Sequence, residues 1–158
     1  MLEAKPVDIK MRKAVIDLMT ENWGGTTIIS KGKIHSAENL PGFAVSEHRQ
    51  LKGLITYSIQ NDECEIVSLD SLAERQGIGT LLANTVVEEA RIHKCRRVWL
   101  ITTNDNTQAM RFYQKRGFSF AGIHMNAVQE SRKIKPQIPL LGIDDIPILH
   151  EIEFEKVL

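Results

Sequence analysis

Cysteine is scarce: Cys64 and Cys95 are the only two in 158 residues, and their spacing makes neither a metal site nor a disulfide framework. Reduced thiols, and with them a cytoplasmic location, are the plain expectation. No charge sign is in surplus either, because twenty basic residues meet twenty acidic ones. A dedicated nucleic-acid binder usually carries a clustered positive excess, so nucleic acid is not an expected partner. No stretch approaches the roughly 20 apolar residues needed to cross a bilayer, and residues 1–8 lack the apolar core of a signal peptide, which leaves no expected role for a membrane. Internal repeats and low-complexity tracts are absent. His93-x-Cys95 and His150-Glu151 each offer two candidate metal ligands, too few for a site, so no metal is expected. What remains is 42% apolar residues, enough for one domain over 1–158 with a substantial core.

Against that background the periodic segments stand out. Met11, Ala14, Val15, Leu18 and Met19 recur at three- and four-residue steps, predicting an amphipathic helix over 9–22 that ends near Gly24-Gly25. Residues 26–40 are irregular, with Gly32 and Pro41 marking loops; only Thr27-Ile28-Ile29 could extend locally. Segments 43–45, 51–59 and 64–69 read as three strands, and their short polar turns imply an antiparallel meander. Ile78, Leu82, Val86 and Ala90 lie four apart on a helix over 78–94. The continuous apolar run 98–101 reads as a central strand reached by a helical crossover, hence parallel to the strand before it. A further helix over 106–116 carries Ala109, Phe112 and Tyr113 on one face, with Asn106 as its N-cap and Gly117 as its stop. Segments 118–128 and 149–157 read as a closing strand pair. Between them lies a long connection in which Ser131-Arg132-Lys133-Ile134-Lys135-Pro136 reads as a solvated basic loop. The order of elements describes a mixed α/β sheet with both parallel and antiparallel pairs.

Two clusters carry chemistry. Glu74-Arg75-Gln76-Gly77-Ile78-Gly79-Thr80 links the third strand to its helix, and the Gly-x-Gly turn leaves backbone amides exposed where a helix begins. Unpaired N–H groups and the positive end of the helix dipole stabilise an anion there; the plainer alternative is a helix cap alone. Gln76, Gly77, Ile78, Gly79 and Thr80 would supply the amides, with the Thr80 hydroxyl as a further donor. The Walker Lys-Ser/Thr pair is missing after the glycines, as is the third glycine of a dinucleotide fingerprint, which argues against a nucleotide-phosphate binder. One helix and one strand downstream stands Asn106-x-x-Ala109-x-x-Phe112-Tyr113-x-x-x-Gly117-Phe118.

In that order and spacing the two clusters resemble the Gcn5-related N-acetyltransferase (GNAT) superfamily, whose members bind acetyl-coenzyme A and acetylate an amine. The motifs cover about 65–118, and a coarse element match extends over the whole chain. One residue departs from the family's pattern: Glu74 stands where Gln or Arg is usual. A carboxylate repels a pyrophosphate, so either Glu74 turns outward while its amide still donates, or affinity is weakened and Arg75 compensates.

The resemblance implies a GNAT-like fold of mixed α/β class, its central sheet splayed into a V and flanked by about four helices. The pantetheine arm would enter where the strands at 63–70 and 97–102 part. It further implies that Arg75 and Gln76 through Thr80 hold the pyrophosphate and that the main chain of Leu69 pairs with the pantetheine amides. Tyr113 matches a tyrosine whose hydroxyl lies near the coenzyme sulfur, although packing explains it too. Asn106 either bonds the coenzyme or merely caps its helix. A glutamate of the strand before the glycine loop often serves as general base; Glu63 and Glu65 share one face of it, and a water chain ending on His48 or His124 is the alternative. Trp23 falls in the acceptor-binding loop, as a wall of the substrate site or as core. With no cysteine in either motif, the implied reaction is direct attack of the amine on the thioester in a ternary complex. The acceptor, a small-molecule amine or a peptide amine, stays open, and a homodimer is compatible with the pattern. A non-catalytic protein of the same fold that senses acyl-coenzyme A is the alternative function.

Overall fold

The computed structural model describes residues 2–72 and 76–158. A two-residue strand, β1 (Lys5–Pro6), precedes a 3-10 turn at Ile9–Met11, whose cap Asp8 accepts the Met11 amide at 3.0 Å. Helix α1 (Arg12–Trp23) follows and buries Val15, Leu18 and Met19. It stops at the expected glycine: Gly24 sits at φ 73° and its amide reaches back to the Thr20 carbonyl.

The irregular stretch after α1 holds a hairpin that its periodicity does not reveal. Strands β2 (Thr27–Ser30) and β3 (Lys33–Ser36) pair antiparallel across Lys31 and Gly32, at φ 50° and 74°. Two positive φ values define the tight turn that suits a right-twisted hairpin, and Asn-Gly is its usual sequence; Lys31 in the first place masks it. Positive φ recurs at His48 and Arg49, and at Asn61 and Asp62. These turns join β4 (Gly42–Glu47), β5 (Gln50–Gln60) and β6 (Glu63–Ser71) into the expected meander.

Helix α2 (Ile78–Ile92) then crosses over, burying Ile78, Leu82, Val86 and Ala90, and returns the chain to β7 (Arg97–Thr103), parallel to β6. Helix α3 (Thr107–Lys115), β8 (Ser119–His124), α4 (Ala127–Ile134), a 3-10 turn at Ile143–Asp145 and β9 (Glu151–Val157) complete the order. The sheet is mixed and seven-stranded, in the order β1-β4-β5-β6-β7-β9-β8. One core lies under α2 and α3, built around Ile55, Ile66, Leu82, Val98 and Phe154; another lies under α1, around Met19, Leu54 and Val67. Among the described residues, no helix is long and apolar enough to cross a membrane.

Two expectations need correction. The strand expected over 118–128 ends at His124, because Asn126 at φ 61° turns the chain into α4, which buries Val128 and Ser131. The basic loop is not simply solvated. Arg132 donates to the carbonyls of Ile138, Pro139 and Ile148, while Lys135 Nζ donates to those of Trp23 and Thr27 at 2.8 and 2.9 Å. These cations tie the connection after α4 to itself and to the start of the hairpin.

The sheet opens at one place. β6 and β7 pair from Glu63 and Arg97 to Ile66 and Leu100, yet both strands run on, to Ser71 and Thr103. At the parting, Tyr57 of β5 faces Ile66 while Thr56 faces Ser68, leaving Val67 as an extra residue in β6. Such a bulge bends its strand and sharpens the local twist, which accounts for the V.

Candidate active site

Helix α2 begins at Gly77, φ 75°, and no side chain caps it among the described residues. Its first helical bond runs from the Leu81 amide to the Gly77 carbonyl at 2.9 Å. The amides ahead of that bond have no carbonyl partner in the helix, and the dipole adds partial positive charge there. A Cβ at Gly77 would meet nothing within 4 Å, so the turn has an open face. Gly79 is needed for another reason: a Cβ there would come within 3.2 Å of the Phe112 ring, where α3 packs on the first turn of α2.

This turn borders a cleft of about 830 Å³, lined also by Leu69, Asn106, Tyr113 and the cations Arg111, Lys115 and Arg116, with no acidic residue among the described lining. In a chain of zero net charge, that is a local positive site. Arg116 holds it together. Its Nε and Nη2 donate to Thr80 Oγ1 at 2.9 and 2.5 Å, its Nη1 donates to the Phe112 carbonyl at 2.7 Å, and its charge lies 3.6 Å over the Phe112 ring. The Thr80 oxygen thus accepts from Arg116 while its proton remains free to donate. The sequence signal for Arg116 is its place four residues after Phe112, on the same helical face. Glu74 and Arg75 lie outside the described residues.

Tyr113 is buried, edge-on to Phe112 and Phe118 with centroids 5.0 and 5.3 Å away, and borders the cleft. Burial pushes its phenol well above the ordinary value; Asp70 adds to that and Arg116 opposes it. Leu69 borders the cleft from β6 beyond the fork, paired with Ile55 on one side. Asn106 does cap α3, accepting the Ala109 amide at 3.0 Å, and it also borders a second hollow.

That hollow, about 160 Å³, is lined by Trp23, Val67, Ile101, Glu65 and Glu151 among others, so Asn106 is common to the two spaces. Trp23 is not core: it is 37% exposed, and its Nε1 donates to Asp70 Oδ2 at 3.1 Å, beside the Asn22 amide on Oδ1 at 3.1 Å. Burial raises the Asp70 carboxyl above its ordinary range, and these two hydrogen bonds counter it. The indole is therefore fixed to the end of β6.

The two candidate glutamates have different surroundings. Glu65 is buried, its Oε2 accepting from Ser30 Oγ at 2.5 Å and its Oε1 lying 3.1 Å from His35 Nε2. Glu63 is engaged by Arg96 and Arg97, both at 2.8 Å, and borders not the Trp23 hollow but one of about 240 Å³ beside Lys31 and Lys33, which Glu65 borders as well. His48 has a side chain 90% exposed, and His124 lies 3.1 Å from Glu153; neither borders the Trp23 hollow. Ser30 and His35 carry no sequence signal of their own, because they belong to the hairpin that periodicity does not reveal, where strand alternation turns both inward. Cys64 and Cys95 are buried and line neither space, and burial pushes the Cys64 thiol up to about 12, with Cys95 and Glu65 adding to it. Among the described residues, no group of three His, Cys, Asp or Glu side chains is set to hold a metal ion.

Comparison with known proteins bears on the family and the fold. The Acetyltransferase (GNAT) family matches residues 10–118. The uncharacterized protein YdhI of Bacillus subtilis (strain 168) is 45% identical over 143 residues, 90% of this chain and 89% of YdhI. An IAA acetyltransferase from Bacillus cereus ATCC 14579 superposes with a TM-score of 0.76 at 15% identity, covering 100% of both chains. A GNAT family acetyltransferase from Elizabethkingia anophelis with acetyl-CoA bound gives 0.74 at 15% identity, over 99% of this chain and 98% of that one.

Proposed function

The chain belongs to the acetyltransferase (GNAT) family, and from that premise we propose that it is one N-acetyltransferase domain moving an acetyl group from acetyl-coenzyme A directly to a primary amine. The observation that carries the reading is the start of α2, which among the described residues has no side-chain cap and opens on a cleft lined by three cations and no acid. Pyrophosphate fits that donor set: main-chain amides from Gly77 to Thr80 give directed hydrogen bonds, and Arg116 gives charge. The edge of β6 that β7 has left offers main-chain groups near Leu69 to an extended pantetheine chain.

The coenzyme supplies the activated thioester; the remaining work falls to the protein. An amine attacks only as its free base, so a proton must leave the nitrogen. Glu65 takes it, directly or through water, held in place by Ser30 and His35. The new N–C bond forms as the C–S bond breaks, and the proton that the attacking nitrogen then sheds in becoming an amide passes to the departing thiolate, directly or through water. In this reading the Tyr113 hydroxyl, which borders the cleft, hydrogen-bonds that sulfur, and its raised pKa makes it a donor to the leaving group more than a source of a fully transferred proton. Direct attack is favoured because the buried, strongly raised Cys64 thiol is a poor nucleophile and borders neither space.

Calorimetry with acetyl-coenzyme A and with the free thiol tests the binding half, and thiol release with a panel of amines tests the transfer. Binding without release from any amine would favour an acyl-coenzyme A sensor of the same fold; no heat at all would remove the reading.

A further inference from the structure

Glu151 holds the only buried side-chain polar atom without a hydrogen-bond partner among the described residues. The residue is 3% exposed; its Oε2 accepts the Lys31 amide at 3.2 Å, and its Oε1 accepts nothing. A buried carboxylate oxygen left without a donor is costly, so it calls for an explanation. Its position supplies one. Glu151 begins β9 opposite Thr103, at the forked end of β7, and borders the Trp23 hollow there, while Glu65 borders it from β6.

Two carboxylates therefore meet one small space, and no lysine, arginine or histidine among the described residues borders it. Burial pushes the Glu151 carboxyl above its ordinary range; the Lys31 amide and the charges of His124 and Lys31 pull it back, and the charge of Glu65 adds to the push. An entering cation would relieve that repulsion and give Oε1 its missing donor. The rest of the wall is largely apolar, with Ile28, Val67, Ile101 and Val128 beside the Trp23 indole.

We propose that the acceptor is a compact aliphatic or arylalkyl primary amine that enters as its ammonium ion, bridges Glu65 and Glu151, and carries no carboxylate beside the nitrogen. The inference rests on the acetyl-transfer reading and names its acceptor class. An ammonium has three N–H donors: one satisfies Glu151 Oε1, and one reaches Glu65 directly or through water. When that second proton passes to Glu65, the nitrogen keeps its bond to Glu151 and gains a free lone pair. The size of the hollow, about 160 Å³, compares with the roughly 150 Å³ cavity that accepts benzene. A group of about four to seven carbons fits; an α-carboxylate would place a third negative charge beside two that already repel.

Two substrate pairs that differ only in the carboxylate provide the test: isobutylamine against valine, and benzylamine against phenylglycine. Calorimetric titration of the whole protein with each compound, without coenzyme, reads the hollow independently of turnover. The amines are expected to bind, with the amino acids weaker by about a hundredfold. Glu151→Gln is expected to weaken amine binding by about tenfold while leaving acetyl-coenzyme A affinity unchanged. Since that substitution is nearly isosteric and removes a buried charge, its thermal midpoint should not fall. Valine bound as tightly as isobutylamine, no amine binding at all, or a Glu151→Gln protein that binds amines like the wild type each overturns the proposal. The expected amine ranking without thioester binding or thiol release would instead overturn the acetyl-transfer reading alone; thiol release that prefers the amino acids would overturn this inference and leave that reading in place.

Discussion

Arg116 directs two guanidinium nitrogens at one oxygen, the hydroxyl of Thr80, at 2.9 and 2.5 Å. A threonine on the first turn of α2 is thereby fixed to the end of α3, and the cation is set beside the open amides. Arg116→Ala should weaken acetyl-coenzyme A binding by about tenfold, with Arg116→Lys in between because a single ammonium cannot span the same contacts. Calorimetry on both variants, alongside their thermal midpoints, separates lost affinity from lost packing on Phe112.

Gly77 stands at φ 75° with open space around it. Gly77→Ala should lower stability by about 1–2 kcal/mol for its left-handed backbone. Gly77→Asp, a residue that tolerates this conformation better, should fold at least as well and yet lose coenzyme binding, since its carboxylate points where the pyrophosphate would lie. Tight binding by the aspartate variant would contradict the phosphate role.

The phenol of Tyr113 is buried among Phe112 and Phe118. Tyr113→Phe keeps that packing and removes only the hydroxyl, so kcat should drop by about tenfold while the dissociation constant of acetyl-coenzyme A stays nearly the same. An unchanged kcat would reduce the residue to packing.

Glu65→Gln should lower kcat by about a hundredfold or more if its carboxylate takes the amine proton. Glu63→Gln should instead loosen Arg96 and Arg97, detectable as a lower thermal midpoint with turnover largely retained. The reverse ranking in a steady-state assay would move the base to Glu63.

Acid should undo part of the sheet through Glu153. Burial works to raise its carboxyl, but hydrogen bonds from Arg97, Lys31 and His124 outweigh it and bring the group to about 2, from an ordinary value of 4.5. A carboxyl depressed by folding stabilises the protein above its unfolded pKa and loses that contribution as the pH falls through the folded one. Roughly 3 kcal/mol is at stake. Urea unfolding from pH 7 to pH 2 should show Glu153→Gln less stable at neutrality, with the gap closing between about pH 4.5 and 2; a gap independent of pH would rule the ion pairs out as its source.

What the sequence disclosed was local. Gly77, the period of α2, the cap at Asn106 and the stop at Gly117 each lie within a few residues of the structure they determine, and they point to the cleft proposed here for the coenzyme. Across-sheet relationships were not visible. Ser30 reaches Glu65 over 35 residues of chain, through a hairpin whose Lys31-Gly32 turn lacks the usual asparagine. Helix α4 buries only Val128 and Ser131, too little apolar pattern to distinguish it from a continuing strand. Glu151 looked like half of a rejected metal pair with His150, and only the register of β9 against β7 brings it to the hollow that Glu65 borders. No residue type marks the bulge either: Val67 is an ordinary strand residue, and its extra place follows from how β5 and β6 pair.

That one surplus valine has an architectural consequence. Were Val67 deleted, Ser68 would follow Ile66 directly and stay opposite Thr56 with no residue left over, and the main-chain ladder between β6 and β7 could close toward Thr103 like a zipper drawn shut. The shortened protein should be stiffer and harder to melt, but with the seam sealed there would be no slot for a thioester to thread. The slot proposed for the coenzyme is a missing stitch in the sheet, and a single codon holds it open.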